Sequence, residues 1–116
     1  MNKCYLLEAV SYPKEFIYLL DEKIFELKPW KIMEGEWLIY TYEQYKNYYP
    51  DKFLVPFAVK LDWGDIAFFD FKKSGDYEII ILHDNESWER REIFQSVWGW
   101  FKRVSEDFIE FAINDL

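Results

Sequence analysis

The order of apolar and polar positions divides the chain into a helical opening, a strand-rich middle and a helical end. Early on, Phe16, Ile17, Leu20 and Ile24 share one face at helical spacing. Pro13 stands at the start of that pattern, with Ser11 or Tyr12 before the first turn. There a missing N–H is harmless, because first-turn donors have no partner inside the helix. Pro29-Trp30 closes the region. Glu36 to Tyr40 reads as a short strand. Thr41-Tyr42-Glu43-Gln44 has capping-box spacing and predicts a short helix to about Tyr49, stopped by Pro50-Asp51.

Three strand-like runs follow. Phe53–Lys60 is the first, and its Pro56 indicates an edge or a bulge, since proline cannot donate to a ladder. Asp62-Trp63-Gly64 is a turn, and Asp65–Phe71 is the second run. Lys72-Lys73-Ser74-Gly75-Asp76 is another turn. Tyr77–Leu82 is the third run, continuously apolar, as in a central strand covered on both faces. Short turns between the runs make an antiparallel meander the simplest topology.

From Ser96 to about Ile113, the residues Val97, Phe101, Val104, Phe108 and Phe111 recur at helical spacing, and Trp98 and Ala112 broaden that face. Phe101 and Phe108 are therefore expected in the core. Gly99 costs the helix about 1 kcal/mol relative to alanine, which indicates close packing or a frayed first turn. The predicted fold class is α+β. One domain, residues 1–116, holds an antiparallel sheet of about four or more strands with helices packed on one face. The C-terminal helix is the main cover.

Composition sharpens this picture in two ways. Aromatic residues make up 22% of the chain, 6 Trp, 9 Tyr and 11 Phe, which is more rings than a small core can enclose. Some must face solvent, where aromatic side chains anchor binding surfaces. The net charge is −8 with the acids scattered. Such a surface repels phosphate backbones and disfavours nucleic acid as a partner, while it keeps the protein soluble or attracts a basic partner. Cys4 is the single cysteine, so no internal disulfide can form. No signal-peptide pattern opens the chain, because Glu8 interrupts the apolar run from Tyr5 to Val10. No run approaches the ~18 residues needed to span a bilayer. The expected location is the cytoplasm, with no membrane attachment and a monomeric or weakly dimeric state.

Catalytic chemistry finds little support in the residue inventory. One His and one Cys cannot make a mixed-ligand zinc site without drawing mostly on carboxylates. Asp62, Asp65, Asp70 and Asp76 lack calcium-loop spacing. Cys4 and His83 form the one thiol–imidazole combination, and a buried or inert thiol is the simpler role for Cys4. Ser87 has no nucleophile-elbow sequence around it, and no glycine loop is built to cradle phosphate. No catalytic residue, metal or cofactor is assigned. His83-Asp84 reads either as a polar cluster at the sheet end that contacts a partner or as a strand-terminal His bonded to nearby backbone, with Asp84 capping a turn. Trp88 and Trp98 read as part-buried core aromatics that cover the sheet's end. Trp63 is different: at the tip of a turn between Asp62 and Asp65 it is hard to bury, and suits binding.

One ordered set of motifs resembles a known family. Tyr12-Pro13-Lys14-Glu15-Phe16 comes first, then Pro29-Trp30 with Ile32, then Leu54-Val55-Pro56-Phe57-Ala58. Asp65-Ile66-Ala67 and His83-Asp84 follow. Last come Trp88-Glu89-Arg90-Arg91, Trp98-Gly99-Trp100-Phe101 and Glu106-Asp107. In order and spacing, from Tyr12 to Phe111, this resembles a compact bacterial branch of the SUKH superfamily, which includes toxin-immunity proteins and fungal cell-wall regulators. An Asn-Gly pair often follows the first helix in that superfamily, and here the chain reads Asp21-Glu22-Lys23-Ile24. The resemblance implies a non-catalytic bacterial immunity protein that binds and neutralises a cognate polymorphic toxin, with a basic toxin domain as the expected partner. The alternatives are a regulatory protein-binding module unrelated to toxins and a small carboxylate-dependent hydrolase. The candidate partner-binding residues are Asp62, Trp63, Asp65, His83, Asp84, Glu86, Trp88 and Glu89.

Overall fold

A computed structural model describes residues 5–23, 27–83 and 87–116. Cys4, Ile24, Asp84 and Glu86 lie outside the described residues. In chain order the elements are α1 (Lys14–Asp21), β1 (Trp30–Ile32), α2 (Gly35–Tyr48), β2 (Phe53–Lys60), β3 (Asp65–Phe71), β4 (Tyr77–Leu82), β5 (Glu92–Phe94) and α3 (Val97–Asp115). A short 3-10 turn, Trp88–Arg90, precedes β5. The five strands lie in the order β1-β2-β3-β4-β5, each antiparallel to the next. The α+β class, the meander and the bounds of the three long strands agree with the sequence pattern. The edge strands β1 and β5 carry weak signals because each has only three residues. Short edges also limit unwanted pairing with other chains.

Both faces of the sheet are covered, which corrects the expectation of helices on one face. On the first face Val55, Phe57, Ala58, Ala67, Phe69, Ile79 and Ile81 meet α1 through Phe16, Leu19 and Leu20, and α3 through Val97, Trp100 and Val104. On the second face α2 covers Leu54, Phe68, Ile80 and Val59 with Leu38, Tyr45 and Tyr49. The continuous apolar run of β4 already demanded this, since a strand apolar on both sides needs two layers of cover.

A register shift between Pro56 and Ala58 marks a β-bulge in β2. Phe57 is the extra residue, so Phe57 and Ala58 both serve the first face. The Phe57 ring stacks on Phe69 at 4.2 Å and meets Trp100 at 4.8 Å and Phe16 at 5.2 Å, edge-on. These contacts join the sheet to both α1 and α3. β1 pairs only with Ala58–Lys60, so Pro56 also lies where β2 has no second neighbour strand.

Two local expectations fail for one reason. Glu36–Tyr40 is helical, the start of α2, and Thr41 is a buried interior residue instead of an N-cap. The run Trp37-Leu38-Ile39-Tyr40 favours strand by propensity. Yet Leu38, Thr41 and Tyr45 line up at helical spacing against the sheet, with Tyr45 4.7 Å from Phe68, and packing overrides propensity. On α3 the buried line is Val97, Trp100 and Val104. Phe101 is only half-buried and Phe108 is 39% exposed, so the helix is rotated from the expected phase. Trp98 is exposed beside Tyr18 and takes no core role. Ser96 caps α3 by accepting a hydrogen bond from the Gly99 N–H at 3.2 Å.

Two tests follow from this packing. Trp100→Ala is expected to cost about 3–5 kcal/mol in denaturant titration, and Phe108→Ala under about 1 kcal/mol; the reverse order would contradict the observed rotation of α3. The Tyr12 hydroxyl accepts from the Leu7 N–H at 2.9 Å, and burial raises its pKa above the usual phenol value. Its contribution to stability is therefore full below the unfolded phenol pKa and is lost as pH rises through the higher folded value. Tyr12→Phe is expected to flatten part of the alkaline limb of a stability–pH curve. Tyr77 and Lys72, whose pKa values are also raised, act in the same direction.

Candidate partner-binding site

Where the apolar face of α3 ends, a line of polar side chains begins. The sequence Val97, Trp100, Val104 continues at helical spacing to Asp107, a carboxylate on a core-facing stripe. Asp107 accepts from the Trp30 indole N–H at 2.8 Å and from Arg103 Nε at 3.3 Å. Arg103 in turn holds Glu92 on β5 through both terminal nitrogens. Glu92 reaches His83 Nε2 at 2.7 Å, and His83 Nδ1 reaches Asp65 at 3.1 Å. The line thus crosses from β1 through α3 and β5 to β3. The hydrogen bond to Glu92 is the main cause that pushes the Arg103 pKa above its already high value, so the guanidinium stays charged. His83 follows the end of β4 and is held by two carboxylates. That differs from a backbone contact, and both ring nitrogens are taken. Among the described residues, no group of three or more His, Cys, Asp or Glu is placed to hold a metal ion.

Beyond this line lies a groove of about 440 Å³ between the β2–β3 turn and the last turns of α3. Its walls include Pro29, Lys60, Asp62 and Trp63 on one side, and Asp107, Glu110, Phe111, Asn114 and Asp115 on the other. Four carboxylates face one ammonium. The turn is tight, with the N–H groups of Trp63 and Gly64 both donating to the Lys60 carbonyl, at 3.2 and 2.7 Å. Gly64 at φ +75° permits that geometry. Held this way, Trp63 is 71% exposed at the groove's mouth.

The sequence-predicted candidates separate into groups. Asp62 and Trp63 line the groove. Asp65, three residues along from Asp62, turns its carboxylate to His83, so these two belong to the supporting polar line. Trp88 lies on the other face of the sheet, 5.1 Å from Tyr49, with Lys52 and Arg91 each 4.5 Å from its ring centre. Glu89 is exposed in the 3-10 turn beside Trp88. Asp84 and Glu86 lie outside the described residues. The sequence reading missed Lys60, Glu92, Arg103, Asp107, Glu110 and Asp115. The legible signal was Asp107 on the apolar stripe with Arg103 one turn before it, because a carboxylate there demands a polar partner.

Comparison with family models, with curated proteins and with solved structures finds no match. Among the described residues no helix is long and apolar enough to cross a membrane. Fold and site together define an acidic α+β protein with an aromatic-mouthed, carboxylate-lined groove.

The polar line predicts a measurable asymmetry. Arg103→Ala strips two half-buried carboxylates of their partner and is expected to cost about 1–3 kcal/mol. Gln95→Ala, which breaks an exposed hydrogen bond to Glu78, is expected to cost under about 1 kcal/mol. Urea titration of the two variants checks the order.

Proposed function

We propose that this chain is a non-catalytic binding protein, an immunity protein that occupies a cognate toxin in the cytoplasm and blocks its working surface. The observation that carries the binding role is Trp63, exposed at the mouth of a groove with four carboxylates. An exposed indole on a stiff turn loses little conformational freedom on binding and suits the desolvated centre of an interface. Carboxylates around it attract lysine and arginine. A toxin that acts on nucleic acid presents such cations to phosphates, and an acidic surface competes for them. The toxin as partner comes from the resemblance to SUKH immunity proteins, and the net charge of −8 is consistent with a basic one. The polar line behind the groove serves this reading by fixing α3 and hence the groove's far wall.

The test begins with a tagged protein and capture from the native host, followed by association kinetics with the captured partner. Association is expected to slow steeply as salt shortens the screening length from ~10 Å at 0.1 M to ~3 Å at 1 M. Trp63→Ala is expected to speed dissociation, by about 2 kcal/mol or more in binding free energy. Asp62→Asn with Asp115→Asn is expected mainly to slow association. Salt-independent association together with an unaffected Trp63→Ala variant would remove the groove from the interface. A partner without toxic activity would reject the immunity assignment and favour a regulatory module.

A further inference from the structure

The distal half of α3 carries more apolar surface than the fold uses. The last buried residue of the helix is Val104. Beyond it Ile109 and Ile113, one turn apart, are 56% and 63% exposed, and Phe108 beside them is also exposed. An amphipathic helix normally turns its apolar side to a core and its polar side to water. Here isoleucines stand on the solvent side. From Val104 to Leu116 the sequence holds Glu106, Asp107, Glu110 and Asp115, and no lysine or arginine. Arg103, just before this segment, is engaged by Glu92 and Asp107. The apolar strip is therefore bordered on one side by Glu106 and Glu110, the side on which Glu110 lines the Trp63 groove, and the exposed Lys102 stands on its face two turns before Ile109.

We propose that this face of α3 receives a basic amphipathic helix of the protein partner. Its apolar side chains would pack on Phe108, Ile109 and Ile113, and its lysines or arginines would meet Glu106 and Glu110, with the groove open to a long cationic side chain. Side chains one turn apart form the ridge into which a second helix packs. The charge pattern selects this occupant. A second copy of the chain would bring another surface of net charge −8 against this one, and an anionic membrane would be repelled for the same reason. The inference rests on the protein-binding reading above and specifies the kind of segment bound.

The probe is a synthetic 18-residue leucine–lysine amphipathic helix with a fluorescent label, followed by anisotropy, with a scrambled peptide as control. Ile109→Asp with Ile113→Asp is expected to weaken binding about tenfold or more, although it adds two negative charges. Attraction by charge alone would instead tighten binding, so unchanged or tighter binding overturns the proposal. Ile109→Ser with Ile113→Ser, expected to weaken binding similarly, serves if the aspartate variant loses its fold, and Glu106→Gln with Glu110→Gln should flatten the salt dependence. Equal affinity for the scrambled peptide also overturns it. A concentration-dependent dimer in sedimentation, dissolved by Ile113→Asp, would assign the face to a second copy and overturn it too. Because the assay needs no toxin, its failure leaves the Trp63 kinetics standing, and failure of those kinetics leaves this result standing.

Discussion

The site depends on a mismatch between the length of α3 and the apolar floor beneath it. Nineteen residues make a helix about 28 Å long at 1.5 Å per residue. Apolar packing on the sheet ends at Val104, and Asp107 then takes over as the contact, bonded to Trp30 and Arg103. A carboxylate there would oppose burial if left alone. With an indole N–H and a guanidinium it becomes a fixed point. The remaining turns pass beyond the core and form the far wall of the groove.

Rigidity behind the groove comes from two kinds of contact. Phe57, placed by the bulge in β2, ties the sheet to both helices of the first face through Phe16, Phe69 and Trp100. The line from Asp65 through His83, Glu92 and Arg103 to Asp107 ties strands β3 and β5 to α3. The first is nondirectional and sets the distance between layers. The second is directional and sets the position of the helix along the sheet. A binding surface shared by a turn and a helix needs both, because its two walls come from distant parts of the chain.

Charge and aromatic content acquire meaning through placement. Spread evenly, a net charge of −8 would serve solubility alone. Here Asp62, Glu110 and Asp115 line a groove with one exposed tryptophan, while Asp65, Glu92 and Asp107 are spent on internal pairs. Trp88, also a tryptophan among charges, is half-buried between Lys52 and Arg91 on the opposite face. The same residue types thus serve structure on one face and contact on the other.

The sequence by itself determined the α+β class, the three long antiparallel strands and their turns, an edge or bulge near Pro56 and the exposure of Trp63. These follow from local rules: alternation, turn chemistry, proline's missing donor and the difficulty of burying a turn tip. Only the tertiary structure decided the rest. It made Glu36–Tyr40 helical because Leu38, Thr41 and Tyr45 find the sheet's second face. It rotated α3 so that Trp100 points inward and Phe108 outward, a choice among several apolar stripes on a helix rich in aromatic residues. It brought Trp30, Asp65, His83, Glu92, Arg103 and Asp107 into one line, and separated Asp65 from Asp62. Local pattern settles the long strands, their turns and the approximate extent of α3. Which face of an element is buried depends on surfaces contributed by residues far along the chain, and a periodic pattern alone does not contain that information.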